Sequence, residues 1–228
     1  PNVKLQQPRS MDLAQVKKLM GLEHTPRELA TLHLLVGHGW RQHELLEIKA
    51  RDVRSMERGW IWCHGKEREE FAPVLPETAD LLLGLIDDLE DDEQVIGSVR
   101  GRSERFGSDG MRVMVKRLLA EAGLNGFTGH NLRDTFATLV ERKAGDLTVS
   151  MALIRDKVPG VASRYVTRDL PALLENYSPL RQIEDGLSPG LTDGGEPGPH
   201  DEKRGAPGSV EPGNASFSKL VETGESRT

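Results

Sequence analysis

The stretch Thr128-Gly-His-Asn-Leu-Arg-Asp-Thr-Phe-Ala-Thr138 contains a histidine and an arginine three positions apart. Positions i and i+3 share one face of a helix, so His130 and Arg133 can both donate hydrogen bonds to a single anion. Arginine presents a planar fork of donors that matches phosphate oxygens, and histidine can donate a hydrogen bond or carry a proton. Tyr165, further along the chain, could attack phosphorus. The three residues together indicate phosphoryl transfer.

The same three residues also have a purely structural interpretation. His130 would then cap the helix after Gly129, Arg133 would pair with a nearby carboxylate, and Tyr165 would be a half-buried ring. Spacing alone does not decide between the two interpretations, but the sequence around these residues is more specific.

Four segments resemble motifs of the tyrosine recombinases, also called phage integrases. The family's His-x-Leu-Arg-His-Thr-Phe-Ala-Thr box is similar to residues 130–138, and its segment ending in the nucleophilic tyrosine is similar to residues 157–165. Its Gly-x-Arg-x-x-Glu-Leu element resembles Gly39-Trp-Arg-Gln-His-Glu-Leu45. The turn that carries its catalytic lysine has a shortened match in Gly65-Lys-Glu-Arg68. The resemblance runs from about residue 10 to 183, with the boxes in the expected order.

The resemblance implies a site-specific recombinase or integrase that cuts and rejoins DNA. Arg41, His130 and Arg133 would bind the non-bridging oxygens of the scissile phosphate. Lys66 would protonate the leaving 5′ oxygen. Tyr165 would form a 3′-phosphotyrosine bond, which a 5′ hydroxyl later resolves. The energy stays in the covalent link, so the resemblance implies neither ATP nor a metal cofactor.

The family pattern also implies a supporting residue and partners. Glu44 would support Arg41, although an i, i+3 pair of this kind can equally be a weak surface ion pair. Lys66 can equally be an ordinary solvated turn lysine. The implied partners are double-stranded DNA and further copies of the chain, as a dimer or tetramer on DNA. The alternative function is a recombinase-derived DNA-binding module or regulator that does not cleave.

Two positions depart from the family pattern. Asp134 replaces the second histidine of the box, where we expect a structural role. Asp156 stands nine residues before Tyr165, where the family has a histidine or tryptophan. A carboxylate is an acceptor beside an anion, so either Asp156 points away to pair with Arg155 or Lys157, or activity is reduced.

Composition favours a globular protein but does not by itself favour nucleic acid. The 228 residues are 36% hydrophobic and 29% charged, with a net charge of −6. Residues 87–93 hold six carboxylates in seven positions, whereas a later stretch is rich in arginine. A basic face can therefore coexist with an acidic sum. The candidate DNA contacts are Arg100, Arg102, Arg105, Arg112 and Lys116.

Apolar periodicity predicts an α+β fold that is predominantly helical with a small antiparallel sheet. Residues 1–185 are expected to form one domain, with a β-hairpin from about Gly59 to Leu75. Pro73 suits only an edge position or a bulge, so the sheet should be small. The predicted helices lie near residues 10–20, 25–36, 40–49, 77–89, 108–123, 131–143, 147–155 and 170–183.

The remaining expectations concern the ends of the chain and its location. Residues 186–228 are rich in Gly and Pro with few apolar residues, which predicts disorder. The polar start cannot supply the family's N-terminal DNA-clamping domain, so we expect part of a longer protein or a short version. Cys63 is the only cysteine, and we interpret it as a strand residue. No run of about 18 apolar residues occurs, which predicts no membrane span and a cytoplasmic, DNA-associated location. Tyr177 is interpreted as a packing residue.

Overall fold

The computed structural model describes residues 9–65, 69–97, 107–156 and 169–185. These residues form a mostly helical α+β domain with a two-stranded antiparallel sheet, which confirms the predicted fold class. The predicted disordered tail, 186–228, lies outside the described residues, so the domain boundary at 185 stays a prediction. None of the described helices is long and apolar enough to cross a membrane.

The helices are α1 (Leu13–Met20), α2 (Pro26–Leu32), α3 (Gln42–Glu47), α4 (Ala50–Arg54), α5 (Pro76–Leu83), α6 (Ser108–Glu121), α7 (Gly129–Ala144), α8 (Leu147–Leu153), α9 (Leu170–Tyr177) and α10 (Pro179–Asp185). The strands are β1 (Trp60–His64) and β2 (Glu69–Pro73). A π-helical turn, His33–Gly37, continues α2.

The first two helices begin at reciprocal caps. Asp12 accepts a hydrogen bond from the Gln15 amide at 2.8 Å, and the Gln15 side chain accepts from the Asp12 amide at 3.0 Å. Thr25 and Glu28 make the same reciprocal pair at the start of α2, with Pro26 at the first helical position. Each cap satisfies amides that lack partners within the helix.

The turn between α2 and α3 carries the first segment of the site. Gly39 has φ +68°, in the left-handed region that favours glycine. A Cβ at residue 39 would lie 2.5 Å from Cδ1 of Phe136 and 2.9 Å from Cγ2 of Ile154. The absence of a side chain therefore lets this turn pack directly against α7 and the end of α8.

The predicted hairpin is present, with Trp60 opposite Pro73 and His64 opposite Glu69. Ile61 and Cys63 are buried on one face, while Trp62 and Phe71 pair edge to face on the other with ring centroids 4.7 Å apart. Pro73 ends β2, in agreement with the sequence-based expectation of a small sheet. Among the described residues the sheet has two strands.

The acidic stretch 87–93 follows α5, which ends at Leu83 rather than extending to residue 89 as predicted. Gly84 ends the helix. Asp91 pairs with Arg54, and Asp92 accepts from Arg51 at 2.6 Å. The stretch is therefore a solvated surface whose carboxylates form ion pairs with arginines of α4.

Helix α7, which carries the central motif, packs into both hydrophobic core clusters of the domain. Leu132, Phe136, Leu139 and Val140 of α7 are buried against the π-helical turn, α8 and α9.

The predicted single helix from 170 to 183 is wrong, because the chain breaks at Ser178 into α9 and α10. The Ser178 hydroxyl donates to the Gly37 carbonyl at 2.7 Å and accepts from the Leu180 amide at 3.2 Å.

Candidate active site

The start of α7 fixes the two motif residues His130 and Arg133. The Asn131 side chain accepts a hydrogen bond from the Thr128 amide at 3.0 Å, which caps the first turn. Leu132 and Phe136 point into the core. The helix therefore begins at Gly129, two residues before the predicted start, and its orientation is fixed by packing and by the cap.

Arg133 lies almost wholly inside the protein, with 6% of its side chain exposed. Its guanidinium donates to the Gly39 carbonyl, to the Ile154 carbonyl at 2.7 Å and to Asp156 Oδ1 at 3.0 Å. Burial lowers the pKa of the guanidinium below its ordinary value, and the positive charge of Arg41 acts in the same direction.

Arg41 reaches the same place from the turn before α3. Its Nη1 donates to Glu44 Oε1 at 3.2 Å, and its Nη2 donates to Asp156 Oδ1. Partial burial lowers the pKa of Arg41, but the carboxylates of Glu44 and Asp156 outweigh that effect and the pKa is raised. Arg41 is thus held by two carboxylates while 39% of its side chain remains exposed.

Arg41 and Arg133 converge on one oxygen atom, Asp156 Oδ1. The predicted convergence of the two guanidinium groups is confirmed, whereas their role in catalysis stays a prediction. Asp156 does not point away from the arginines, which was one of the two alternatives drawn from the sequence. Its carboxylate lies between them, with Oδ1 accepting hydrogen bonds from both guanidinium groups.

Arg155 is the residue that the sequence interpretation missed. Its Nη2 donates to Glu44 Oε2 at 2.5 Å, and its guanidinium carbon lies 4.9 Å from the Trp40 ring centroid. Both side chains of the ion pair are nearly inaccessible, at 3% and 2% exposure. Arg155 also has φ +58°, which is uncommon for a residue with a side chain. The sequence offered one signal only, a charged pair directly after the apolar run of α8.

Glu44 therefore supports more of the site than was expected. Besides Arg155 and the Arg41 side chain, its Oε2 accepts a hydrogen bond from the Arg41 amide at 2.7 Å. One buried carboxylate thus joins the turn before α3 to the turn after α8.

His130 lies at the rim of the cleft beside the arginines. Its side chain is 78% exposed, and Nε2 lies 3.6 Å from Asp134 Oδ1. The cleft has a volume of about 400 Å³ and opens to solvent. It is lined by Trp40, Arg41, Gln42, His43, Leu46, Ser108, Gly129, His130 and Arg133.

The remaining predicted residues are only partly covered. Lys66, Tyr165, Arg100, Arg102 and Arg105 lie outside the described residues. Arg112 and Lys116 are exposed on α6, whose first residue, Ser108, lines the cleft. Arg112 Nη2 lies 3.1 Å from Asp109 Oδ1. Tyr177 packs against the α7 and α8 cluster, which confirms its interpretation as a packing residue.

Cys63 lies buried in β1, in agreement with its interpretation as a strand residue, and burial raises the pKa of its thiol to about 12. No group of three or more His, Cys, Asp or Glu side chains in the described parts of the chain is arranged to hold a metal ion.

The fold and the site define a class of protein: a helical domain that brings two arginines from separate segments to one anion, with a histidine at the cleft rim. Residues 9–167 match the model of the phage integrase family, and the chain belongs to that family.

Individual relatives agree with this assignment. The tyrosine recombinase XerA of Pyrococcus horikoshii is 26% identical over 159 residues, covering 68% of this chain and 55% of that protein. The integrase from mycobacterium phage Brujita has a similar fold, with TM-score 0.63, 19% identity, and coverage of 79% of this chain and 62% of its own. The XerH recombinase bound to difH substrate before cleavage has TM-score 0.56, 20% identity, and coverage of 76% and 55%. The chain spans about half the length of the curated relatives it matches.

Proposed function

We propose that this chain is the catalytic domain of a site-specific DNA recombinase or integrase. The observation that supports the proposal most strongly is the meeting of Arg41 and Arg133 on a single anionic oxygen. Donors fixed on both sides of one anion suit the pentacoordinate transition state of phosphoryl transfer, in which negative charge builds up on the non-bridging oxygens.

In the proposed reaction a DNA phosphate takes the place between the two guanidinium groups. Tyr165 attacks phosphorus and releases its phenolic proton to water, while the bond from phosphorus to the 5′ oxygen breaks. Lys66 gives a proton to that leaving oxygen. His130, at the cleft rim, donates a hydrogen bond to a non-bridging oxygen, and a 5′ hydroxyl later attacks the 3′-phosphotyrosine bond to rejoin the strand.

Double-stranded DNA is the proposed partner, and self-association as a dimer or tetramer on DNA is part of the proposal. The solved XerH complex is a recombinase of similar fold bound to its difH substrate. Arg112 and Lys116 lie exposed on the helix whose first residue lines the cleft, which supports a DNA path over α6. With a net charge of −6, binding has to depend on such local basic surface.

A second candidate function is a DNA-binding module that no longer cleaves. The observation that favours it is the Asp156 carboxylate between the two arginines, because an acceptor there replaces a donor to the phosphate. Both functions predict DNA binding that weakens steeply with salt. They differ in whether a covalent bond to DNA forms.

The test is covalent capture on nicked duplexes that carry candidate attachment sites. Cleavage next to a nick releases a short strand and leaves the protein attached to DNA, so an adduct stable in SDS should accumulate. Tyr165→Phe should abolish the adduct and retain DNA binding, whereas Tyr177→Phe, the matched control, should retain both. Salt-sensitive binding without an adduct would favour the non-cleaving module, and an adduct that persists in Tyr165→Phe would show that the nucleophile is misassigned.

A further inference from the structure

The carboxylate of Asp156 already fills the position that an incoming phosphate would need. Its Oδ1 accepts hydrogen bonds from Arg41 Nη2 and from Arg133 Nη2, the latter at 3.0 Å. A carboxylate and a phosphate present the same kind of anionic oxygen to a guanidinium fork. The two anions therefore compete for the same donors.

The backbone that carries Asp156 is firmly held. Its amide donates to the Met151 carbonyl at 3.0 Å, and the preceding residue, Arg155, is locked by the buried pair with Glu44 and by the Trp40 ring. Arg155 keeps φ +58°, in the left-handed region that residues with a side chain seldom occupy. The carboxylate is thus placed by the fold, and its position between the arginines does not depend on a loose loop.

The side chain of Asp156, in contrast, is partly open to solvent. It is 41% exposed, whereas the Arg133 side chain beside it is 6% exposed. Arg133 also keeps two carbonyl partners, of Gly39 and Ile154, when the carboxylate leaves. Rotation about the Asp156 side-chain bonds is therefore sufficient to vacate the arginines, with no change in the surrounding backbone.

We propose that Asp156 is a specificity-determining residue, an internal anion that any phosphate has to displace from Arg41 and Arg133. A free phosphate is held only by donors within the cleft. A phosphate within duplex DNA is also held by contacts elsewhere on the strand, so it can displace the carboxylate where a free phosphate cannot. The residue thereby selects phosphates presented by DNA. The inference rests on the proposed function only in taking DNA as the anion that is selected.

The experiment measures the affinity of the protein for inorganic phosphate at constant ionic strength, from the rise in Tm with phosphate concentration. Asp156→Asn removes the charge and keeps the shape, and we expect it to bind phosphate about tenfold more tightly than the unaltered protein. Asp156→Ser, a second variant that also removes the side-chain charge, should show the same gain. Asp134→Asn is the matched control, since it removes one carboxylate close to the cleft that contacts His130 and Asn131 instead of the arginines.

A gain in affinity is a readout that a damaged fold does not produce. Equal phosphate affinity in the unaltered protein and both Asp156 variants would overturn the inference. An equal gain in Asp134→Asn would also overturn it, because the effect would then be one of general charge. Tighter phosphate binding by the Asp156 variants, with no DNA adduct from any form, would support the inference while the proposed cleavage fails. Adduct formation with unchanged phosphate affinity in the Asp156 variants would support the proposed cleavage and overturn the inference.

Discussion

Arg133 and His130 lie one turn apart on α7, yet the protein holds them in opposite ways. The Arg133 side chain is 6% exposed and has three acceptors, whereas the His130 side chain is 78% exposed and faces one carboxylate at 3.6 Å. The fold thus holds the arginine in place, whereas most of the histidine side chain lies in solvent. Fixed charge costs no reorganisation during a reaction, which is where electrostatic stabilisation is most effective.

We call Glu44, Arg133 and Arg155 the inner group and His130 the outer residue. The inner group ties together the turn before α3, helix α7 and the turn after α8. Substitutions in the inner group should therefore affect stability as well as function. A substitution of the outer residue should affect function alone.

The largest loss of stability is expected from Glu44→Ala. It leaves the buried Arg155 without its closest carboxylate and removes the acceptor of the Arg41 amide. Breaking a buried ion pair by removing one partner costs about 3–5 kcal/mol. Urea unfolding measures the change. Glu47→Ala, at an exposed position of the same helix, should cost about 0.5 kcal/mol or less, and equal losses at the two positions would contradict the assignment of Glu44 to the inner group.

A somewhat smaller loss, about 3 kcal/mol, is expected from Arg133→Met. The substitution keeps a long side chain but leaves the carbonyls of Gly39 and Ile154 without their donor, and each unsatisfied buried acceptor costs about 1–3 kcal/mol. Thermal unfolding monitored by circular dichroism gives the difference. Arg142→Met, on the exposed side of the same helix, serves as the control. An unchanged midpoint for Arg133→Met would show that the buried contacts contribute nothing to the fold.

The buried histidine His38 should make the free energy of unfolding depend on pH. His38 Nε2 accepts from the Leu75 amide at 3.0 Å and Nδ1 lies 2.9 Å from the His33 carbonyl. Burial lowers the pKa of His38 to about 3, against about 6.5 in an unfolded chain.

Both states of His38 are neutral at pH 7, and only the unfolded chain takes up the proton as the pH falls below about 6.5. The free energy of unfolding should therefore decrease by about 2 kcal/mol from this residue between pH 7 and pH 5, and the loss continues down to a pH near 3. Urea unfolding of His38→Gln at the two pH values should show a flatter dependence than the unaltered protein. The same slope in both proteins would contradict the buried, neutral state of His38.

The smallest effect on stability is expected from His130→Ala, about 0.5 kcal/mol or less, because the side chain is mostly solvated. Its effect on the proposed chemistry should be large, about a hundredfold or more in the rate of adduct formation, since a positioned donor or proton carrier is lost. Unfolding and adduct assays on the same preparation separate the two effects. A destabilised variant would place His130 in the inner group.

Local signals in the sequence predicted the elements that local chemistry determines. The helix predicted near residues 25–36 begins at the capping box of Thr25 and Glu28, and the hairpin predicted from about Gly59 to Leu75 is present. The spacing of His130 and Arg133 placed both residues at the cleft. The meeting of Arg41 with Arg133 followed from the family resemblance, because nothing in local spacing connects residues so far apart.

Long-range contacts determined what the sequence did not predict. The apolar pattern of 170–183 favoured one helix. The helix ends before Ser178, whose hydroxyl donates to the distant Gly37 carbonyl, and the next helix begins at Pro179. The first helix begins at Leu13 rather than near residue 10, since Asp12 and Gln15 form its reciprocal cap. The burial of Arg155 depends on Glu44 and Trp40, which no local pattern relates to it.

The central claim is that Arg41 and Arg133 hold the same phosphate, and a double-mutant cycle tests it most directly. The rate of adduct formation on a nicked duplex is measured for Arg41→Lys, Arg133→Lys and the double variant, at a temperature where circular dichroism shows all three folded. Lysine keeps the charge but lacks the fork. Each single variant should lose about a hundredfold or more, and the double variant should lose far less than the product of the two, because both act on one anion. Losses that multiply, or a single variant without effect, would contradict a shared phosphate site.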